Sequence, residues 1–150
     1  MFKYCVWYIV KDTHPVYKNM IKYSSLFKTH IFPPHITIAS KLTKSEAIST
    51  YNRYLSVEKP SFSPSSDPII SCEQNFYAIE QPLSTNGKYV EGIHISMAYR
   101  LDKTFTPMEL AHIEIIPRIY PDDLSLCIMN CWAENPNEWI RDSFQNVVII

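Results

Sequence analysis

The chain has 150 residues, 46% hydrophobic and 19% charged, with 14 Lys and Arg against 15 Asp and Glu. That is enough chain and apolar content for one core, and it excludes an intrinsically disordered protein. A net charge of −1 argues against a dedicated duplex-DNA binder. No apolar run approaches the roughly 20 residues of a membrane span, the short run 5–10 lacks the cleavage site of a signal peptide, and four cysteines without tight spacing fit reduced thiols of a cytoplasmic protein. Only two glycines are present, so phosphate chemistry by a glycine-rich loop is excluded and side chains must do that work.

Residues 2–10, aromatic and β-branched, predict a first strand. Pro15 opens a helix whose Val16, Met20, Tyr23 and Phe27 share one face, and Pro33-Pro34 ends the unit. Residues 35–40 predict a strand. Thr43 and Glu46 form a capping box for a second helix, with Ala47, Ile48, Tyr51 and Leu55 inward. The Pro/Ser-rich stretch 58–68 predicts a crossover between two halves. Strands are expected at 69–72, 76–80 and 93–99, with a polar loop at 82–88 that turns at Asn86-Gly87. Thr106, Pro107 and Glu109 start a further helix, stopped by Pro117. Residues 124–133 and 139–149 predict a closing pair of strands. Helices with mostly antiparallel strands in two similar halves give an α+β fold in one domain, residues 1–150.

Two segments repeat each other: His35-Ile36-Thr37-Ile38-Ala39-Ser40-Lys41 and His94-Ile95-Ser96-Met97-Ala98-Tyr99-Arg100. Period-two alternation puts His35, Thr37, Ala39 and Lys41 on one face, and His94, Ser96, Ala98 and Arg100 on its counterpart. A single hit on histidine, apolar, Ser or Thr, apolar has a chance of roughly 3% per histidine. Two hits among ten pairs have a chance of about 1%, so the pair carries information. Two imidazoles on a shared cleft can serve as general base and general acid near neutral pH. A hydroxyl two residues on can donate to a phosphate oxygen as charge builds there. Ala39 and Ala98 leave room for the ligand, and Lys41 and Arg100 at the rim favour an anion.

The competing structural roles are simpler ones. Trp7 and Tyr8 fill the core from opposite faces of the first strand, with base stacking by Trp7 as its second role. His14 belongs to a helix start, and His30 and His112 to the surface or rim. Cys127 and Cys131 share a strand face as core thiols rather than as a zinc site.

His35-Ile36-Thr37-Ile38 and His94-Ile95-Ser96-Met97 resemble the paired motifs of the 2H phosphoesterase superfamily. The segments Val6-Trp7-Tyr8, His14-Pro15-Val16-Tyr17 and Phe32-Pro33-Pro34-His35-Ile36-Thr37 resemble its cyclic phosphodiesterase branch. The resemblance implies a bilobed fold, two pseudo-symmetric lobes whose antiparallel sheets flank a central cleft. It also implies metal-independent, cofactor-free chemistry on a phosphodiester beside a ribose hydroxyl. His35 and His94 would be catalytic, and Thr37 and Ser96 would hold the phosphate. Tyr99 matches a tyrosine that helps hold the phosphate in plant-type members. Strict alternation puts Tyr99 on the wrong face, so this role requires the strand to end or twist near Ala98. The expected substrate is a small nucleotide, attacked at a 2′,3′-cyclic phosphate or a 2′–5′ linkage by a monomer that needs neither long nucleic acid nor a membrane. The Lys-, Ile-, Asn- and Tyr-rich, Gly-poor composition fits an AT-rich genome, viral ones among them. Degradation of a cyclic dinucleotide such as 2′,3′-cyclic GMP–AMP in immune evasion is therefore a second expectation. A non-catalytic nucleotide or RNA-end binding module is a third.

Overall fold

The computed structural model describes residues 3–29, 32–72 and 76–130. Alternating apolar residues build β1 (Tyr4–Val10), which places Tyr8 and Val10 on one core and Cys5 and Trp7 on the other side of the sheet. Helix α1 (Pro15–Phe27) follows, and the four residues expected to face inward, Val16, Met20, Tyr23 and Phe27, are all buried. Each fully buried side chain of that size contributes roughly 1.5–3 kcal/mol. His14 caps this helix: its Nδ1 accepts from the Val16 amide at 3.0 Å, and Nε2–H donates to the Arg118 carbonyl at 3.0 Å. Lys28 ends it in the left-handed region at φ 57°.

After β2 (His35–Leu42), the Thr43/Glu46 capping box starts α2 (Lys44–Leu55). Ala47 is buried against Val6 and Ile128, whereas Leu55 is exposed at the helix end. The stretch 58–68 contains an unexpected strand, β3 (Phe62–Pro64), and is tied down by Gln81, whose amide donates to the Ser66 carbonyl at 2.7 Å. β4 (Ile69–Cys72) and β5 (Tyr77–Thr85) lead to a turn with Asn86 and Gly87 at φ 49° and 78°, then to β6 (Lys88–Arg100). Both central residues at positive φ match the Asn-Gly hairpin turn. β5 runs straight through the segment expected to be a loop. Pro82 is tolerated because it falls between the residues that β4 and β3 border, beside a register shift against β6.

The Thr106/Glu109 capping box forms, but α3 (Pro107–Leu110) makes a single turn and ends well before Pro117. β7 (Leu124–Asn130) closes the described chain. The expected strand 139–149, the last residues of 124–133, His30 and Cys131 lie outside the described residues.

The fold is α+β with a curled antiparallel sheet. Strand order is β3-β5-β6-β2-β1-β7, with β4 also on β5, and every pairing is antiparallel. β1, β2 and β7 form one half and β3 to β6 the other. The two meet between β2 and β6 at a single pair, Ile36 opposite Ile95, both buried. Among the described residues, no helix is long and apolar enough to cross a membrane.

Candidate active site

Both histidine strands carry a β-bulge at the same place. On β2, Trp7 faces Thr37 but Val6 faces Ala39, so Ile38 is an extra residue. On β6, Glu80 faces Ser96 but Ile79 faces Ala98, so Met97 is an extra residue. A bulge inserts one residue and reverses the phase of the alternation beyond it. The position five after each histidine, Ser40 or Tyr99, therefore turns to the same side as the histidine. Ala39 and Ala98 turn away from it, a correction to the strict alternation, and Ala98 is buried in the main core.

The result is one cavity of about 230 Å³ beside the β2–β6 seam. His35, Thr37, His94 and Ser96 all line it, as do Trp7 and Tyr99 among the expected residues. Cys5, Ser40, Phe76 and Glu80 complete the described lining. This is smaller than the ~300–1,000 Å³ of pockets that enclose a drug-sized ligand.

Lys41 and Arg100 are not among the lining residues. Arg100 lies behind the second bulge, where its guanidinium pairs with Glu109 through both carboxylate oxygens and sits 4.3 Å from the Phe105 ring centre. The Arg100 hydrogen bonds hold the Glu109 carboxyl down at about 2. Lys41 is exposed at φ 56°, the extra residue of a second irregularity in β2.

The two imidazoles are held alike at one nitrogen. His35 Nδ1–H donates to the Pro33 carbonyl at 3.0 Å, and His94 Nδ1–H to the Gly92 carbonyl at 2.8 Å. A carbonyl only accepts, so the proton of each neutral ring is on Nδ1 and Nε2 is left bare. The surroundings differ. His35 is 6% exposed and stacked on Trp7, with ring centres 3.6 Å apart and planes at 11°. Burial pushes it down to about 4, against the Pro33 hydrogen bond and with help from His94 nearby. His94 is half-buried, with a Glu80 oxygen 3.5 Å from its Nε2. Ser96 is buried, while Thr37 is exposed. Among the described residues, no group of three His, Cys, Asp or Glu is gathered to hold a metal ion.

No family model, curated protein or solved structure matches this chain.

Proposed function

We propose that the protein is a metal-independent phosphodiesterase of the 2H type, acting on a small nucleotide whose scissile phosphate adjoins a ribose hydroxyl. The observation that carries this reading is the convergence of both repeats on one cavity, His35 and Thr37 from one half and His94 and Ser96 from the other. The bilobed 2H arrangement belongs to the same proposal, and the single-pair seam between the two halves supports it.

In this reading His35 is the base. Its ring is neutral at neutral pH, and its Nε2 is free to take a proton from water or from a ribose hydroxyl. His94 is the acid that protonates the leaving oxygen, and the Thr37 and Ser96 hydroxyls donate to the equatorial oxygens as charge develops there. This reading gives no side chain of the described lining, Cys5 and Ser40 included, the role of nucleophile. The attacker is therefore a vicinal hydroxyl at high effective molarity, or water on a strained cyclic phosphate. Cleavage of a 2′–5′ link in a linear or cyclic dinucleotide and hydrolysis of a 2′,3′-cyclic phosphate both meet this condition.

The test is incubation in EDTA with 2′,3′-cyclic mononucleotides, 2′–5′ oligoadenylate and cyclic dinucleotides, with products read by mass. A 2′–5′ dinucleotide lacking the neighbouring 3′-hydroxyl is included. Turnover in EDTA of at least one ribose substrate, with the deoxy analogue inert, is the expected result. Full loss in EDTA that a divalent ion restores overturns the metal-independent mechanism. Equal cleavage of the deoxy analogue overturns the hydroxyl requirement. Binding without turnover points to the non-catalytic module.

A further inference from the structure

A carboxylate stands in the cavity where an anion is to bind. Glu80 of β5 is directly opposite Ser96, so the two share a face. Its Oε1 lies 3.5 Å from His94 Nε2, and only 12% of its side chain is exposed. Beyond His94, the described lining offers it no basic partner of fixed charge: Arg100 is committed to Glu109 behind the bulge, and the lining contains no Lys or Arg. The other titratable groups facing the cavity are His35 on β2, Cys5 on β1, and His94 and Tyr99 on β6, so Glu80 is the one carboxylate of the described lining. A built anion site normally gathers guanidinium or ammonium groups. This one gathers imidazoles, hydroxyls and a fixed negative charge.

Resting on the phosphodiesterase reading, we propose that Glu80 is a specificity residue that sets the charge the cavity accepts. It admits the single negative charge of a phosphodiester and turns away the double charge of a phosphate monoester. The Thr37 and Ser96 hydroxyls, with the His94 ring between Glu80 and the ligand, answer one phosphate charge. A second charge on the same phosphorus meets the carboxylate at a few ångströms with no Lys or Arg in the described lining. In a cavity of intermediate dielectric, that repulsion weakens binding about tenfold. The chemical consequence is a filter with direction. Ring opening of a cyclic phosphate converts a monoanion into a monoester that loses its second proton near pH 6, so the product is repelled by the group that tolerated the substrate.

The experiment is calorimetric titration of the full chain at pH 8 with 2′-deoxynucleoside 3′-monophosphates and their 3′-methyl esters. Neither probe has the vicinal hydroxyl required for cleavage. The wild type is expected to bind the methyl ester about tenfold more tightly than the monoester. Glu80→Gln is expected to bring the two within about threefold by strengthening monoester binding. Repeating the wild-type titration at pH 5 removes the monoester's second charge without any substitution, and the preference should shrink there too. Lack of preference in the wild type at pH 8, or a preference untouched in Glu80→Gln, overturns the filter. Turnover of 2′,3′-cyclic nucleotides by the same preparation separates the two claims. With turnover present and no charge preference, the filter alone fails. With no turnover and neither probe bound, the phosphodiesterase reading fails and the filter with it.

Discussion

β2 and β6 offer the cavity the same sequence of chemistry: an imidazole, a hydroxyl two residues on, then a bulge. Each imidazole is pinned through Nδ1 to the carbonyl two residues before it. What differs is the neighbourhood. On β2 the imidazole is buried, stacked on Trp7 and kept neutral. On β6 it is half-buried and faces the Glu80 carboxylate. A repeat in sequence thus becomes two unlike environments in space, because the strand beside each histidine supplies different partners: Trp7 from β1 in one case, Glu80 from β5 in the other. Two similar groups whose surroundings set them apart are the usual way to obtain an acid and a base from one residue type.

Removing either histidine is the most direct way to break this comparison. His35→Ala and His94→Ala should each lower kcat/KM by ~10²–10⁴-fold with a folded protein. The double variant should be little worse than the worse single one, since the two act as a unit. Steady-state kinetics with circular dichroism measure both. Wild-type turnover in either single variant would end the acid–base assignment.

The next largest effect separates the two arms by pH. The folded-state value of His35 is about 4, below the ~6.5 of an unfolded histidine. Between those values the unfolded chain binds the extra proton, so its stabilising contribution is complete above pH 6.5 and is lost as pH falls towards 4. The loss is of order 3 kcal/mol. Urea melts across pH 4–7 should show this slope, and His35→Gln should flatten it. The acid limb of kcat/KM should likewise fall only as pH approaches 4, well below an ordinary histidine.

Thr37→Ala and Ser96→Ala sharpen the comparison at the hydroxyls. Each should cost ~1–3 kcal/mol of transition-state stabilisation, the range of a lost hydrogen bond to a charged group. Single-turnover rates measure it. The smallest effects concern the two cations. Arg100→Met should lower stability by ~1–2 kcal/mol through its lost pairing with the part-exposed Glu109 and its lost packing on Phe105, while kcat/KM stays near wild type. Lys41→Met should shift stability by no more than ~0.5 kcal/mol, as surface changes do. A large kcat/KM loss in Arg100→Met with stability intact would return that residue to the cavity.

The elements legible from the chain were those whose local chemistry is complete in itself. The four-residue stripe of α1, the capping boxes of α2 and α3 and the Asn86-Gly87 turn each need no distant partner to form. α3 had its start signal, yet it stopped after one turn, although Met108, Ala111 and Ile115 keep helical spacing. β3 and the passage of β5 through Pro82 depend on which strands border which, and that lies outside local pattern. At the cavity, the histidines and hydroxyls were legible because they precede the bulges. Lys41 and Arg100 follow them, and strict alternation assigned both to the cavity face. A signal was present: the apolar doublets Ile38-Ala39 and Met97-Ala98 interrupt alternation at matched positions. Ser40 could have been found from them together with Tyr99. Glu80 could have been singled out as the lone acid inside the apolar run of β5. Its approach to His94 required the cross-strand register.

The single pair at Ile36 and Ile95 gives the sheet a line of weakness beneath the cavity. Within each half, strands are bonded along their length, but across the seam the ladder is one rung. Amide protons of β1 with β7 and of β5 with β6 should therefore exchange with solvent in two separate cooperative groups. The apolar contact under the seam, rather than hydrogen bonding across it, sets how far apart the two imidazoles stand. Shaving one methyl there, as in Ile95→Val, would leave each half's exchange rates nearly unchanged and would be felt as a change in the gap a phosphate must bridge.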